Sequence, residues 1–422
     1  MLQVNFLRDN KERVLEGLQK RQFKNLELVD EAIATDEERK KIQFELDSQL
    51  SEINRISKEI GILMKEGKRE EAEASKSKTA QYKESTSELK VQLDVKEKAL
   101  LDILYQIPNI PNELVKSGAS ADDNEIIFQS HEVEGLGEGA IPHWELAKKY
   151  NLIDFELGVK IAGAGFPVYL GKGARLQRAL VQYFLDKNID KGYTEVNPPH
   201  VINEASGYGT GQLPDKEGQM YYVTEDKLYL IPTAEVPVTN LYRDVLLEEK
   251  DLPIKNTAFS QCYRREAGSY GAHVRGLNRL HQFEKVEIVR LEKPENSYAV
   301  LEEMVEHIKE ILTDLELPYR VLRLCGGDTG FASAMTYDFE VWSAAQEMWL
   351  EVSSVSNFET FQSNRLKCRY KADGKSQLVH TLNGSAMALP RIMAALLENN
   401  QTEEGIKLPK KIAEYARFDV IN

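Results

Sequence analysis

The chain has 422 residues, is 42% hydrophobic and 29% charged, and carries a formal net charge of −14. That length suits two or three domains with a large core, and the acidic balance excludes a general polyanion binder, so contact with nucleic acid must use local basic patches. No run approaches the roughly 18 apolar residues of a membrane span, and the start MLQVNFLRDN lacks a signal peptide's apolar stretch, so a cytoplasmic protein without membrane association is expected.

Residues 1–34 show a short amphipathic pattern, Val4, Leu7, Val14, Leu15 and Leu18. From Asp36 to Asp102 proline is absent and glycine occurs only at Gly61 and Gly67. In the first half Ile42, Leu46, Gln49, Ile53, Ile56, Ile60 and Leu63 follow at spacings of three and four; in the second half Ser75, Thr79, Tyr82, Thr86, Leu89, Leu93, Lys96, Leu100, Ile103 and Ile107 do so. Two seams interrupted near residues 66–69 predict an antiparallel helical hairpin over about 36–104, each arm roughly 45 to 55 Å long. The polar seam residues Ser75 and Thr79 are expected to weaken packing at the tip. Residues 36–104 hold 14 Lys and Arg against 16 acids, so the arm is nearly neutral within an acidic chain. Two readings stay open: a coiled coil for dimerisation or spacing, or an RNA-contacting arm with Lys65, Lys68, Arg69, Lys76 and Lys78 on phosphates.

IPNIPNELVKSG, residues 107–118, is a proline-punctuated linker, and predicts a first domain over 1–110 and a second over 111–422. Helices are expected at 143–150 and 174–189, the latter with Leu176, Leu180, Phe184 and Leu185 on one side, followed by Gly192 and, in YTEVNPPHVI, a strand that continues into a double proline. LYLIPTAEVPVTNLY then places Thr233, Ala234 and Glu235 between Pro232 and Pro237. A short rigid loop offering a hydroxyl and a carboxylate suits an ammonium group and a small polar side chain.

QCYRREAGSYGAHVRGLNRLHQFEKVE, residues 261–287, reads as two antiparallel strands joined by a long basic loop containing Gly268, Gly271 and Gly276. Alternation is expected to put Arg264 and Glu266 on one face of the first strand, where a guanidinium can bond two phosphate oxygens at once. Arg275, Arg279 and His281 add positive charge. An ordinary hairpin with a basic loop would show the same spacing.

An amphipathic helix is expected over 296–315, then a strand with Asp338 and Glu340 alternating with Phe339 and Val341. EVSSVSNF brings Glu351 and Ser354 together, hard oxygen donors of the kind Mg²⁺ prefers. In HTLNGSAMALPRIMAALLEN a strand is expected to end at Asn383, Gly384 to make a tight turn, and a helix to begin near Pro390 with Arg391 at its positive end. Cys262, Cys325 and Cys368 stand singly, which predicts free buried thiols.

YRREAGSYG followed by RGLNRLHQFEKVE resembles motif 2 of the class II aminoacyl-tRNA synthetases in its seryl-tRNA synthetase form. TAE is similar to that family's serine-binding loop, helix–glycine–strand–proline with Pro199 to motif 1, EVSS with SN to the ATP and metal segment, and the stretch at Arg391 to motif 3. The resemblance covers essentially the whole chain, with departures at Ala386 and Pro390 in motif 3, and in AGAGF, WSAAQ and FQSNR. It implies an α+β fold: a class II antiparallel sheet flanked by helices, preceded by an α-helical coiled-coil arm. It implies a serine–tRNA ligase, with Arg264 and Arg391 as catalytic residues on the α- and γ-phosphates. ATP would be bound by Arg264, Arg265, Glu266, Leu280, Phe283, Glu351, Val352, Ser353, Ser354 and Arg391, Phe283 stacking on adenine and Glu266 meeting its amino group. Serine would be bound by Thr233, Ala234, Glu235, Glu287 and Ser385, and Mg²⁺ by Glu351 and Ser354. It further implies a homodimer built through motif 1 and tRNA(Ser) recognised by the arm, with tRNA(Sec) open as a second acceptor. Two alternatives stay open here: a paralogue loading an amino acid onto a carrier protein, and a non-catalytic scaffold.

Overall fold

A computed structural model of the chain describes residues 1–133, 135–137, 139–266 and 275–422; Gly268 and Gly271 of the expected basic loop lie outside them. The described residues form two compact units, one of 1–19 with 23–108 and one of 20–22 with 109–422.

In the first unit α1 (Glu27–Lys65) and α2 (Arg69–Leu104) pair as the hairpin arm. Every expected seam residue from Ile42 to Ile107 is buried or half-buried, with Leu46, Leu89 and Leu93 forming a packed cluster. At 1.5 Å per residue the 39 residues of α1 span ~58 Å. The helix begins nine residues before the composition changes, because buried Leu28, Val29 and Ala32 carry the apolar period back. Its end is a Schellman cap: Gly67 takes φ +76°, the amide of Lys68 donates to Leu63 O (3.0 Å) and that of Gly67 to Met64 O (3.3 Å). The buried seam hydroxyls of Thr79 and Thr86 donate to Ser75 O and Lys83 O of their own helix, so they are satisfied without a partner across the seam. Near the base, buried Asp36 is ringed by Arg8 (2.6 Å), Arg39 (2.9 Å) and Lys40 (2.9 Å). Burial alone would raise its pKa; bonds from Lys40, Arg8 and Arg39 overcome that and hold it at about 2.

The second unit is organised on an eight-stranded sheet. Its strands are β1 (Glu125–Gln129), β2 (Thr194–Glu195), β3 (Ile254–Tyr263), β4 (Gln282–Glu292), β5 (Tyr319–Arg323), β6 (Met335–Ser343), β7 (Met348–Asn357) and β8 (His380–Ala388), in the order β1-β5-β6-β7-β8-β4-β3-β2. All neighbours are antiparallel except the β2–β3 pair at one edge. The helices that matter are α3 (His143–Lys149), α4 (Gly171–Asp190), α5 (Glu235–Asn240), α6 (Ser297–Asp314) and α7 (Leu389–Asn399). Val286 and Ile288 of β4, Phe339 and Val341 of β6, and Val355 of β7 share one core with Leu176, Leu180 and Phe184 of α4, Leu301, Met304 and Ile308 of α6, and Ile392 and Leu396 of α7. Strand alternation therefore turns Phe283, Lys285 and Glu287 of β4 to the opposite face, where the polar residues gather.

Four local expectations need correction. YTEVNPPHVI is two short strands, Thr194–Glu195 and Val201–Ile202, because the Pro198–Pro199 pair has no amide hydrogens for a ladder. β3 stops at Tyr263, so Arg264 and Glu266 sit beyond the strand, Glu266 with φ +48°. β8 runs through Asn383 to Ala388: Gly384 is paired with Ile288 on one side and Val355 on the other, and a Cβ there would meet Val355 Cγ2 at 3.0 Å, so this glycine serves close approach and not a turn. Glu235 opens helix α5 at once, with Pro237 in its first turn, where a missing amide hydrogen costs nothing.

Candidate active site

The sheet's polar face is assembled by register. Glu287 lies opposite Ser385, Lys285 opposite Ser260, and Phe283 opposite Cys262; farther across, Ser356 lies opposite both Asn383 and Thr336, and Ser354 opposite Asp338.

At the β4–β8 end Thr233 Oγ1 donates to Glu287 Oε2 (2.9 Å) and accepts from the amide of Glu235 (3.1 Å), which joins the TAE segment to the sheet. Lys285 Nζ pairs with Glu287 Oε2 at 2.5 Å, both side chains being less than a tenth exposed. Glu235 Oε1 accepts from Gln362 Nε2 (2.6 Å), and Gln362 Oε1 accepts from Thr381 Oγ1 (2.7 Å). Burial, and then the neighbouring Glu287, push Glu235 up to about 7. The amide nitrogen of Asn383 is buried without a bond of ordinary length among the described residues. Thr233, Glu235, Glu287 and Ser385 thus come together as expected from the sequence, whereas Ala234 is wholly buried in a small core beneath them. Lys285, Gln362 and Asn383 were missed. Lys285 carried a signal, since it alternates with Phe283 and Glu287 on one strand face; Gln362 and Asn383 carried none.

Arg264 stands at the edge of this cluster, bonded to the residue before Thr233. Its amide donates to His281 O (3.0 Å), its Nε to Pro232 O (3.4 Å), and its guanidinium carbon stands 5.3 Å from the centre of the Phe283 ring. Arg265 is exposed, its amide held by Gln219 O (2.9 Å), and Glu266 pairs with Arg279 at 2.5 Å. Two further residues of this stretch that the structure describes are engaged: Arg275 lies 4.5 Å from the Trp144 ring centre, and His281 bonds Tyr221 (2.8 Å) while stacking on Phe166. The thiols of Cys262, Cys325 and Cys368 are free and buried.

On the other flank Arg391 donates from Nε to Asn278 O (2.9 Å) and from Nη1 to Glu351 O (2.7 Å), which fixes the plane of its guanidinium. Ala388, opposite Lys285, directly precedes α7, so Arg391 and Phe283 flank the same end of the sheet. Glu351 is exposed beside Glu340 and Asp338. Asp338 has a buried Oδ1 without a partner among the described residues, and burial, then the charge of Glu351, hold its carboxyl well above the usual range despite a bond from Ser354. A cation there would relieve both, so the oxygens of Asp338, Glu351 and Ser354 fit a hard divalent ion. Among the described residues no three His, Cys, Asp or Glu side chains form a closed metal cluster. Leu280 and Val352 point into the core, so only their backbone can face a ligand, and Ser353 Oγ donates to Ser385 O at 2.5 Å. No helix among the described residues is long and apolar enough to cross a membrane.

Two family profiles match the chain: the Seryl-tRNA synthetase N-terminal domain over residues 1–111 and the tRNA synthetase class II core domain (G, H, P, S and T) over residues 221–400. The serine–tRNA ligase of Salinibacter ruber is 50% identical over 421 residues, 99% of this chain and 98% of that protein. That of Chlorobaculum parvum is 45% identical over the whole of both chains. Among solved structures, seryl-tRNA synthetase from Pyrococcus horikoshii complexed with ATP superposes with a TM-score of 0.90 at 32% identity, covering 100% of this chain and 99% of that one. The cytoplasmic serine–tRNA ligase of Naegleria fowleri in complex with AMP gives 0.86 at 27% identity, with coverage of 100% and 99%.

Proposed function

The chain belongs to the seryl-tRNA synthetase family, and from that premise we propose how its polar sheet face activates L-serine with ATP and transfers it to tRNA(Ser). The serine carboxylate attacks the α-phosphorus of ATP and expels pyrophosphate. The terminal adenosine hydroxyl of the tRNA then attacks the seryl carbonyl, and AMP leaves. Neither step needs a protein nucleophile, so the residues act by positioning and by stabilising charge.

The observation that carries this reading is the pocket of Thr233, Glu235, Lys285, Glu287 and Ser385 beside Arg264. Two carboxylates and one lysine leave an excess of one negative charge, which the ammonium of serine complements. The buried side-chain amide of Asn383 is a group that a hydroxyl beside Ser385 and Thr233 can satisfy and a methyl cannot, so alanine would leave it unpaired. The extra methyl of threonine is excluded by space. Phe283 stacks on adenine, Arg264 takes the α-phosphate and Arg391 the γ-phosphate, with Arg265, Glu266, Ser353 and the backbone at Leu280 and Val352 completing the nucleotide site. Mg²⁺, held by Glu351 and Ser354 with Asp338 behind them, would neutralise phosphate charge. Residues 111–422 form the catalytic domain of a cytoplasmic homodimer, with motif 1 at its interface. Residues 1–110 bind tRNA(Ser) by its shape through backbone contacts along the arm.

Serine-dependent ATP–pyrophosphate exchange followed by charging of tRNA(Ser) tests the whole: both activities are expected. Exchange without charging would fit carrier-protein loading, and neither would fit a scaffold. A pH series tests the pocket. Glu235 has its pKa raised from 4.5 to about 7, so its stability contribution is complete below pH 4.5 and is lost as pH rises towards 7. Binding of the serine ammonium runs the other way, since it needs the carboxylate. The KM for serine should therefore fall between pH 6 and pH 8, and Glu235→Gln should abolish that fall while raising the melting temperature above pH 7. A KM for serine that stays flat from pH 6 to 8 in the unmodified protein would remove Glu235 from the ammonium.

A further inference from the structure

Seven residues beyond Arg391, two turns along the same side of α7, Glu398 is completely buried against His143, which is also completely buried. His143 Nδ1 lies 2.7 Å from Glu398 Oε1, and the backbone amide of His143 donates to the same oxygen at 2.9 Å. Ser343 donates its hydroxyl to Oε2. Burial would raise the Glu398 carboxyl, but the bonds from His143 and Ser343 outweigh it and hold the group below its ordinary value. On the far side of the ring the amide of Leu277 donates to His143 Nε2 at 2.9 Å. An amide hydrogen can only meet an acceptor, so Nε2 is unprotonated and the ring proton sits on Nδ1, donating to Glu398.

These contacts close on themselves. Asn278, next to Leu277, accepts from Arg391 Nε through its carbonyl (2.9 Å) and donates Nδ2 to Gln346 Oε1 (2.8 Å). Gln346 Nε2 donates to Ser343 Oγ (2.8 Å) and to Glu398 Oε1 (3.0 Å). The circuit therefore runs Arg391, Asn278, Gln346, Glu398, His143, Leu277 and back to Asn278. Gly276 admits the histidine: its φ is +66°, and a Cβ on it would stand 2.2 Å from His143 Nε2. A polar cluster that merely fastened α3 to α7 would not need to reach the backbone of 276–278 or end on the Arg391 side chain.

We propose that His143 and Glu398 are positioning residues for the nucleotide: they hold the backbone of residues 276–278 so that Asn278 O and Glu351 O together aim the Arg391 guanidinium. The inference rests on the assignment of Arg391 to ATP. Holding a charged group within a fraction of an ångström matters because displacing one by ~1 Å can cost on the order of 10²-fold.

The test is pyrophosphate exchange in the full-length protein, with KM measured for ATP and for serine in His143→Ala, His143→Gln, Gln346→Ala and Arg391→Ala. His143→Ala should raise the KM for ATP roughly tenfold while the KM for serine stays within about twofold. His143→Gln, whose amide oxygen can accept the Leu277 hydrogen in place of Nε2, should recover most of the loss. Gln346 is only half-buried, so Gln346→Ala keeps the fold and should raise the KM for ATP in the same direction; it decides the matter if His143→Ala does not fold. A raised KM for ATP in Arg391→Ala with an unchanged one in Gln346→Ala and in whichever His143 variants fold overturns the circuit alone. An equal rise for both substrates also overturns it. An unchanged KM for ATP in Arg391→Ala overturns the assignment of Arg391, and the circuit with it.

Discussion

Replacing Arg264 by Ala should lower serine-dependent pyrophosphate exchange by roughly 10²-fold or more, the usual cost of removing one donor aimed at developing charge. As the serine carboxylate attacks, the α-phosphate gains negative charge, and a planar guanidinium can follow it with two bonds at once. Arg264 is suited to this because its surroundings restrain it even past the end of β3: its amide is held by His281 O, its Nε reaches Pro232 O, and its guanidinium stands beside Phe283. Arg264→Lys should recover little, since an ammonium is a point charge that cannot fork across two oxygens. The side chain is half-exposed and outside the main core, so the melting temperature of Arg264→Ala should barely move. Exchange at a near-normal rate in the alanine variant would sink the assignment of Arg264 to the α-phosphate.

Excising residues 42–92 and joining Lys41 to Leu93 through a short glycine–serine linker should leave exchange largely intact and abolish tRNA charging. The cut keeps Asp36 with its three cations and the Glu38–Lys96 pair at the base of the arm. It leaves untouched every residue of the eight-stranded sheet and its helices. What it removes is a long, narrow structure whose core is a single seam, too little to anchor a domain and long enough to lie along a nucleic acid. The lysines and arginine at its tip, Lys65, Lys68 and Arg69, are exposed, and their phosphate contacts would make charging more salt-sensitive than exchange. Loss of both activities on excision would mean that the arm supports folding; retention of both would remove it from tRNA recognition.

The arm was legible almost residue by residue, because a helical seam repeats every three to four positions and each position faces the same neighbour. The break at residues 66–69, with Gly67 as its pivot, could be read for the same reason. The hairpin of β3 and β4 and the helices α4, α6 and α7 were legible from alternation and from glycine and proline punctuation. Their ends were less so. The extension of β8 beyond Asn383 could not be read, since Gly384 signals a turn equally well and only the strands on either side decide that it stays flat. Likewise Glu266 left the strand pattern by a left-handed residue that an isolated Glu does not announce.

What the order of residues determined by itself is whatever depends on near neighbours: the coiled-coil arm, the alternating strands, and the motifs whose resemblance pointed to a serine–tRNA ligase. What the tertiary structure alone decided is which groups meet from afar. Gln362 reaches Glu235 across 127 positions, and Glu398 reaches His143 across 255. No local period encodes such a meeting, because it is set by the register of strands distant in the chain and by helices laid across them. The burial that raises the Glu235 carboxyl arises from the same packing, so its charge state belongs to the folded chain.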